Sequence, residues 1–272
     1  MATIQFSEGS DAVPSVRYRQ KQLLPNIIDG MAKTRPEAIY AETPHSTISY
    51  ESGYRQITYR HLANAINGVA WFLDEQLGPG GQHETLAYIG PNDLAYIMIL
   101  LGAVKAGYKV RHPITGTDRC SWAFSNWERR KLLLISPRNS VSDHISLFKA
   151  TESRALLTPI EPRLPVVTSL LEEHSIRVIN SPSLGQLLDG NYSHYPFPKT
   201  FMEARDEPLV VVHTSGTTTV PKPIIYTHDF AASYMQWGQL EAPPGFESQV
   251  SLVQSNRLIV TLPFFHVSNA TS

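Results

Sequence analysis

Hydrophobic residues along this chain follow two alternating rhythms. From Leu23 to Lys33 the apolar positions Leu24, Ile27, Ile28 and Met31 recur at helical spacing, and Pro36 ends the run. Ile57 to Tyr59 is β-branched and aromatic and reads as a strand end. Thr58 can then cap a helix from Arg60 to Leu77, with Leu62, Ile66, Val69, Ala70 and Leu73 on its inner face. Gly78-Pro79-Gly80-Gly81 is a turn. Thr85 to Ile89 predicts a strand, Gly90-Pro91-Asn92-Asp93 a turn with Asn92 or Asp93 as cap, and Leu94 to Ala106 a helix apolar enough to be buried, closed by Gly107. Further strands are predicted at Leu132–Ile135, Arg154–Thr158, Ile176–Ile179, Leu209–His213, Ile224–Thr227 and Leu258–Leu262. The helices between and after them are Val141–Ala150, Val166–Glu173 and Asp229–Trp237. Strand and helix alternate, which predicts an α/β fold with a mainly parallel sheet flanked by helices.

Residues 110–131 break this rhythm. A helix-to-strand connection in such a fold takes about 2–6 residues, whereas this stretch is several times longer and shows neither period. It also holds Cys120, the only cysteine, and two of the four tryptophans, Trp122 and Trp127. Composition changes the picture further. One thiol cannot form an internal disulfide, which excludes a disulfide-stapled secreted scaffold. A formal charge of −1 supplies no basic surface for nucleic acid or an anionic membrane. Met1 to Gln20 lacks a basic start followed by an apolar run, and the longest apolar run, Tyr96 to Val104, is too short to cross a bilayer. A cytoplasmic protein is the expectation.

The segment with the most chemistry is Leu209-Val-Val-Val-His-Thr-Ser-Gly-Thr-Thr-Thr-Val-Pro-Lys-Pro223. A β-branched strand runs into Thr214, Ser215, Gly216, Thr217 and Thr218, and Lys222 follows. Glycine permits a tight path on which backbone N–H groups converge on an anion. Hydroxyls donate to phosphate oxygens, and lysine adds a mobile positive charge. Such a loop could grip the phosphates of ATP; on chemistry alone, a hydroxyl-rich turn between two strands remains equally open. It is not a Walker A loop, since no glycine stands immediately before Lys222. The chain has no Cys/His spacing for zinc, no Gly-x-Ser-x-Gly elbow, and only two of the three glycines of a dinucleotide fingerprint at Gly78 and Gly80.

Thr214 to Lys222 resembles the phosphate-binding signature of the adenylate-forming (AMP-binding) superfamily, which includes acyl-CoA synthetases, luciferases and the adenylation domains of nonribosomal peptide synthetases (NRPS). Other segments resemble that family in the right order: Ile57-Thr-Tyr-Arg-His-Leu62, Tyr88-Ile-Gly-Pro-Asn-Asp93, Val104-Lys-Ala-Gly-Tyr108 and Thr261-Leu-Pro-Phe-Phe-His266. Ser136-Pro-Arg-Asn-Ser140 and Phe148-Lys-Ala-Thr151 are similar to the fungal NRPS-like reductases and synthetases. The resemblance implies activation of a carboxylic acid with ATP and Mg²⁺. It also implies phosphate contacts from Thr214, Ser215, Gly216, Thr217, Thr218 and Lys222, and a catalytic-site position for His266 beside the acyl and nucleotide pockets. A carrier domain downstream in the full-length parent is a further implied partner. Thr219 departs from the signature, standing where the family has glycine, and a β-branched residue suits a positive φ poorly.

The expected organisation is an N-terminal tail over 1–20 and an AMP-binding domain over 21–272, truncated before the groups that read adenine and ribose and before a C-terminal catalytic lysine. Residues 110–131 and 267–272 fall outside the family pattern. Both begin with dipeptides, Val110-Arg111 and Val267-Ser268, whose codons can resemble a splice donor, so translated introns are one reading; a genuine surface insertion and natural ending are the other. Two functions stay open: part of a carboxylate-adenylating enzyme that is inactive alone, and a non-catalytic nucleotide-binding or interaction module.

Overall fold

Thr58 does two jobs at one junction, and they set the first part of the fold. The computed structural model describes residues 21–46, 49–78, 85–107, 132–161, 163–214, 220–237 and 243–246. Helix α1 (Leu24–Thr34) opens with Pro25, whose missing N–H costs nothing in a first turn. Strands β1 (Ile39–Pro44) and β2 (Tyr54–Thr58) form an antiparallel pair in which Thr58 lies opposite Ile39. The same threonine caps helix α2 (Tyr59–Leu77): its N–H donates to His61 Nδ1 at 3.2 Å, and its Oγ1 accepts the His61 N–H at 3.4 Å. The expected cap is therefore present. Strand β1 was not foreseen, because its side chains are mostly exposed and leave no hydrophobic period.

Among the described residues the main sheet has six strands. These are β3 (Thr85–Tyr88), β4 (Leu132–Leu134), β5 (Ser153–Pro159), β6 (Arg177–Ser181), β7 (Pro208–His213) and β8 (Pro223–Thr227), in the spatial order β6-β5-β3-β4-β7-β8. Every neighbouring pair is parallel except β7 and β8, so the expected mainly parallel sheet is what forms. Strands β3 and β4 are buried at every residue, as central strands covered on both faces must be.

Helices cover the two faces separately. On one side α2 and α3 (Ala95–Lys105) pack with Leu62, Ile66, Val69, Leu73, Met98 and Ile99. On the other, α4 (Val141–Thr151) and α5 (Pro165–Glu173) supply Leu147, Phe148, Val167 and Leu170. Helices α6 (Leu184–Asp189), α7 (Phe201–Ala204) and α8 (His228–Trp237) complete the described elements. Helices α6 and α7 are marked in the sequence by their caps rather than by hydrophobic periodicity. Ser183 and Gln186, and Thr200 and Glu203, stand three apart and bond reciprocally or side chain to cap, as starting turns do. Strand β2 begins three residues before the expected Ile57, and Tyr59 already belongs to α2; the other predicted elements lie within one or two residues of their expected bounds, and Leu258–Leu262 lies outside the described residues.

Two details lock the helical layer. A Cβ on Gly102 of α3 would lie 2.5 Å from Val69 Cβ and Cγ1 and 3.0 Å from the Ile66 carbonyl, so glycine is what allows α2 and α3 to approach this closely. Lys105 buries its side chain completely and donates from Nζ to Asp29 Oδ1 at 2.7 Å and Asn67 Oδ1 at 2.8 Å, tying α3 to α1 and α2. Burial lowers the Lys105 pKa, and Asp29 opposes that shift.

Candidate functional site

Helix α3 leaves β3 toward one face of the sheet, and α4 leaves β4 toward the other. Helix α5 leaves β5 toward the same face as α4, so the carboxyl ends of adjacent parallel strands β3 and β5, where the strand order reverses, flank a topological switch point of the kind at which open α/β sheets form their ligand crevice. Strand β7 runs parallel beside β4, so the segments after β3, β4 and β7 all emerge at that edge.

The segment after β7 is the predicted phosphate loop. Its two ends are pinned together: Thr214 N–H donates to the Lys222 carbonyl at 3.1 Å, and Lys222 N–H donates to Thr214 Oγ1 at 3.0 Å. This neck continues the β7–β8 ladder, in which His213 faces Pro223. Thr214 and Lys222 are both exposed, leaving the lysine side chain accessible. The structure thus brings together the first and last of the sequence-predicted phosphate contacts. Ser215, Gly216, Thr217 and Thr218 lie outside the described residues, as do Thr219 and His266.

The neck is anchored to β4 through histidine. The ring of His213, buried at 4% exposure, accepts the Ser136 N–H on Nε2 at 3.1 Å. With that nitrogen an acceptor, Nδ1 carries the proton and donates to the Thr214 carbonyl at 2.8 Å. Asn139 Nδ2 reaches the same Nε2 at 3.4 Å. From α4, fully buried His144 donates through Nε2 to the Ser136 carbonyl at 3.0 Å. Burial lowers the His144 pKa; its bond to Ser136 works the other way, and nearby His213 adds to the lowering. Ser136 is thus gripped at both of its backbone polar groups, which belong to two successive peptide units. The sequence could not show this contact, since Ser136 and His213 are 77 residues apart and neither lies in a periodic pattern.

The segment after β3 is held by Tyr96, whose buried hydroxyl accepts the Gly90 N–H at 3.2 Å and faces the carbonyls of Gly90 and Ile135 at 3.2 and 3.1 Å. It thereby ties the β3 end to the β4 end. Asp93 Oδ1 accepts the Ala95 N–H at 2.8 Å just before α3, but the N-cap position falls on Leu94 rather than on the expected Asn92 or Asp93, and no side chain caps it. Burial pushes the Asp93 carboxyl up to about 6, against the opposing effect of that hydrogen bond. Among the described residues no group of three His, Cys, Asp or Glu side chains could hold a metal ion, and no helix is long and apolar enough to cross a membrane.

Comparisons with known proteins agree with this geometry. The chain is 33% identical over 217 residues to the isocyanide synthase-NRPS hybrid crmA of Aspergillus fumigatus, covering 79% of this chain and 12% of that protein. It is 31% identical over 255 residues to a carboxylic acid reductase of Neurospora crassa, covering 91% of this chain and 22% of that one. The chain therefore spans well under a third of the length of either of these two relatives. In fold it resembles the inhibitor-bound N-terminal domain of FACL13 from Mycobacterium tuberculosis, with a TM-score of 0.61 at 19% identity over 92% of this chain and 53% of that one. It also resembles an O-succinylbenzoate coenzyme A synthetase (MenE) of Bacillus subtilis in complex with AMP, with a TM-score of 0.57 at 18% identity over 91% and 51% of the two chains. A family model described as AMP-binding enzyme matches residues 36–272, which span the switch-point edge and its pinned loop, and the chain belongs to that family.

Proposed function

We propose that this chain is part of an ATP-dependent enzyme that adenylates a carboxylic acid, and that its share of the work is to hold the nucleotide's phosphates. In the reaction a carboxylate oxygen attacks the α-phosphorus of ATP, the bond to the bridging oxygen breaks, and acyl-AMP and pyrophosphate result. Such an in-line displacement needs mainly positioning and stabilisation of charge on phosphate oxygens. Thr214, Ser215, Gly216, Thr217 and Thr218 would supply hydroxyl and backbone donors, and Lys222 a positive charge. His266 would stand beside the acyl and nucleotide pockets. Mg²⁺ enters with ATP, bound to its phosphate oxygens.

The observation that carries this reading is the pinned neck at the carboxyl edge of the sheet. Paired hydrogen bonds join Thr214 and Lys222, the two ends of the hydroxyl-rich segment, at that edge, and both residues are exposed. The family supports the reaction class. Two relatives, named as an NRPS hybrid and a carboxylic acid reductase, support a larger parent in which a carrier domain receives the acyl group.

Titration of the purified chain with MgATP, followed by melting and by pyrophosphate exchange over a panel of aryl and amino acids, tests the proposal. Nucleotide-dependent stabilisation is expected, with no exchange from this chain alone. Exchange by the chain alone would overturn its restriction to nucleotide binding. Stabilisation without exchange even in the longer parent would favour a non-catalytic nucleotide-binding module. The absence of stabilisation would sink the phosphate-loop assignment.

A further inference from the structure

His213 has no assigned part in this reading, yet its ring is the link between the phosphate loop and the centre of the sheet. A residue buried to this degree at the end of a central strand is apolar by default, and an isoleucine or phenylalanine would fill the space. What an apolar side chain could not supply is an acceptor for the buried Ser136 N–H together with a donor for the Thr214 carbonyl. Ser136 is itself fixed from the other side, because His144 donates to its carbonyl. The chain of contacts runs from α4 through His144, the Ser136 backbone and His213 to Thr214, and across the neck to Lys222. Each link is a directional hydrogen bond, so orientation is transmitted along with proximity.

We propose that His213 is a positioning residue for nucleotide binding: its imidazole, held by Ser136 on Nε2 and holding Thr214 through Nδ1–H, sets the direction in which the phosphate loop leaves β7. Lys222 follows, since its backbone is bonded to Thr214. The proposal rests on the phosphate-loop reading.

The test uses the full chain with MgATP as the probe. Affinity is measured for the unaltered protein, His213→Phe and His213→Gln, alongside melting without nucleotide. His213→Phe keeps a ring and removes both hydrogen bonds, and at least a tenfold loss of affinity is expected in the folded protein. His213→Gln restores an acceptor near the Nε2 position and should recover most of it. An unaltered chain that binds no MgATP overturns the phosphate-loop reading and this inference with it. An unaltered chain that binds, with both variants binding equally well, overturns this inference alone. Should His213→Phe fail to fold, ¹⁵N resonances of the histidine rings in the unaltered chain decide. The Nδ1–H tautomer and a shift of the His213 signals on MgATP addition are expected; the Nε2–H tautomer, or signals unmoved at saturation, would refute the assignment.

Discussion

Replacing Asp93 by asparagine isolates one charge at the switch-point edge. Burial pushes its carboxyl from 3.8 up to about 6 in the folded chain. Below the unfolded value both states hold the proton and the group adds no pH dependence. Between the two values the folded chain keeps a proton that the unfolded chain has released, so stability falls as pH rises through this window. Above the folded value the full cost is present. A displacement from 3.8 to about 6 corresponds to roughly 3 kcal/mol; partial accessibility of the side chain reduces the expectation to about 1–2 kcal/mol. Asparagine removes the charge and retains an oxygen to accept the Ala95 N–H. Urea unfolding of both proteins from pH 4 to pH 8 provides the assay. Asp93→Asn should equal the unaltered chain near pH 4 and exceed it by about 1–2 kcal/mol at pH 7.5. A difference independent of pH, or a less stable variant at pH 7.5, would refute the reasoning.

Gly102→Ala should destabilise by about 1–2 kcal/mol, because overpacking against Val69 outweighs a helix-propensity gain of about 1 kcal/mol. In that background Val69→Ala should cost less than in the unaltered chain, as a double-mutant cycle of urea melts would show. Lys105→Met should cost about 2–4 kcal/mol by strandling Asp29 and Asn67, which lose a shared partner; adding Asp29→Asn should recover part of the loss in the same melts. Thr214→Val removes the acceptor of the Lys222 N–H, and faster hydrogen exchange of that amide is the expected readout.

How much of this was legible in the sequence depended on whether the signal was local. Helix α2 could be read because Thr58 and an inner face from Leu62 to Leu73 lie within one segment. Helix α3 could be read because a run apolar on nearly every side must be buried. Strand β1 could not, since it exists by pairing with β2 and keeps an exposed surface. Sheet order depends on which faces α3 and α4 cover, a matter of packing across many residues. At the site, the Thr214-to-Lys222 segment stood out by composition, and its ends meet as a loop requires. The His213–Ser136 bond was invisible because nothing in either residue's neighbourhood announces a partner in a distant strand.

The proposed function depends on the segment from Thr214 to Lys222 binding the phosphates of ATP. Calorimetric titration of MgATP into the unaltered chain and into Lys222→Met tests it most directly. Binding by the first and about tenfold weaker binding by the second are expected, a difference of about 1.4 kcal/mol from one lost charge. Equal affinities, or no heat of binding from the unaltered chain, would contradict it.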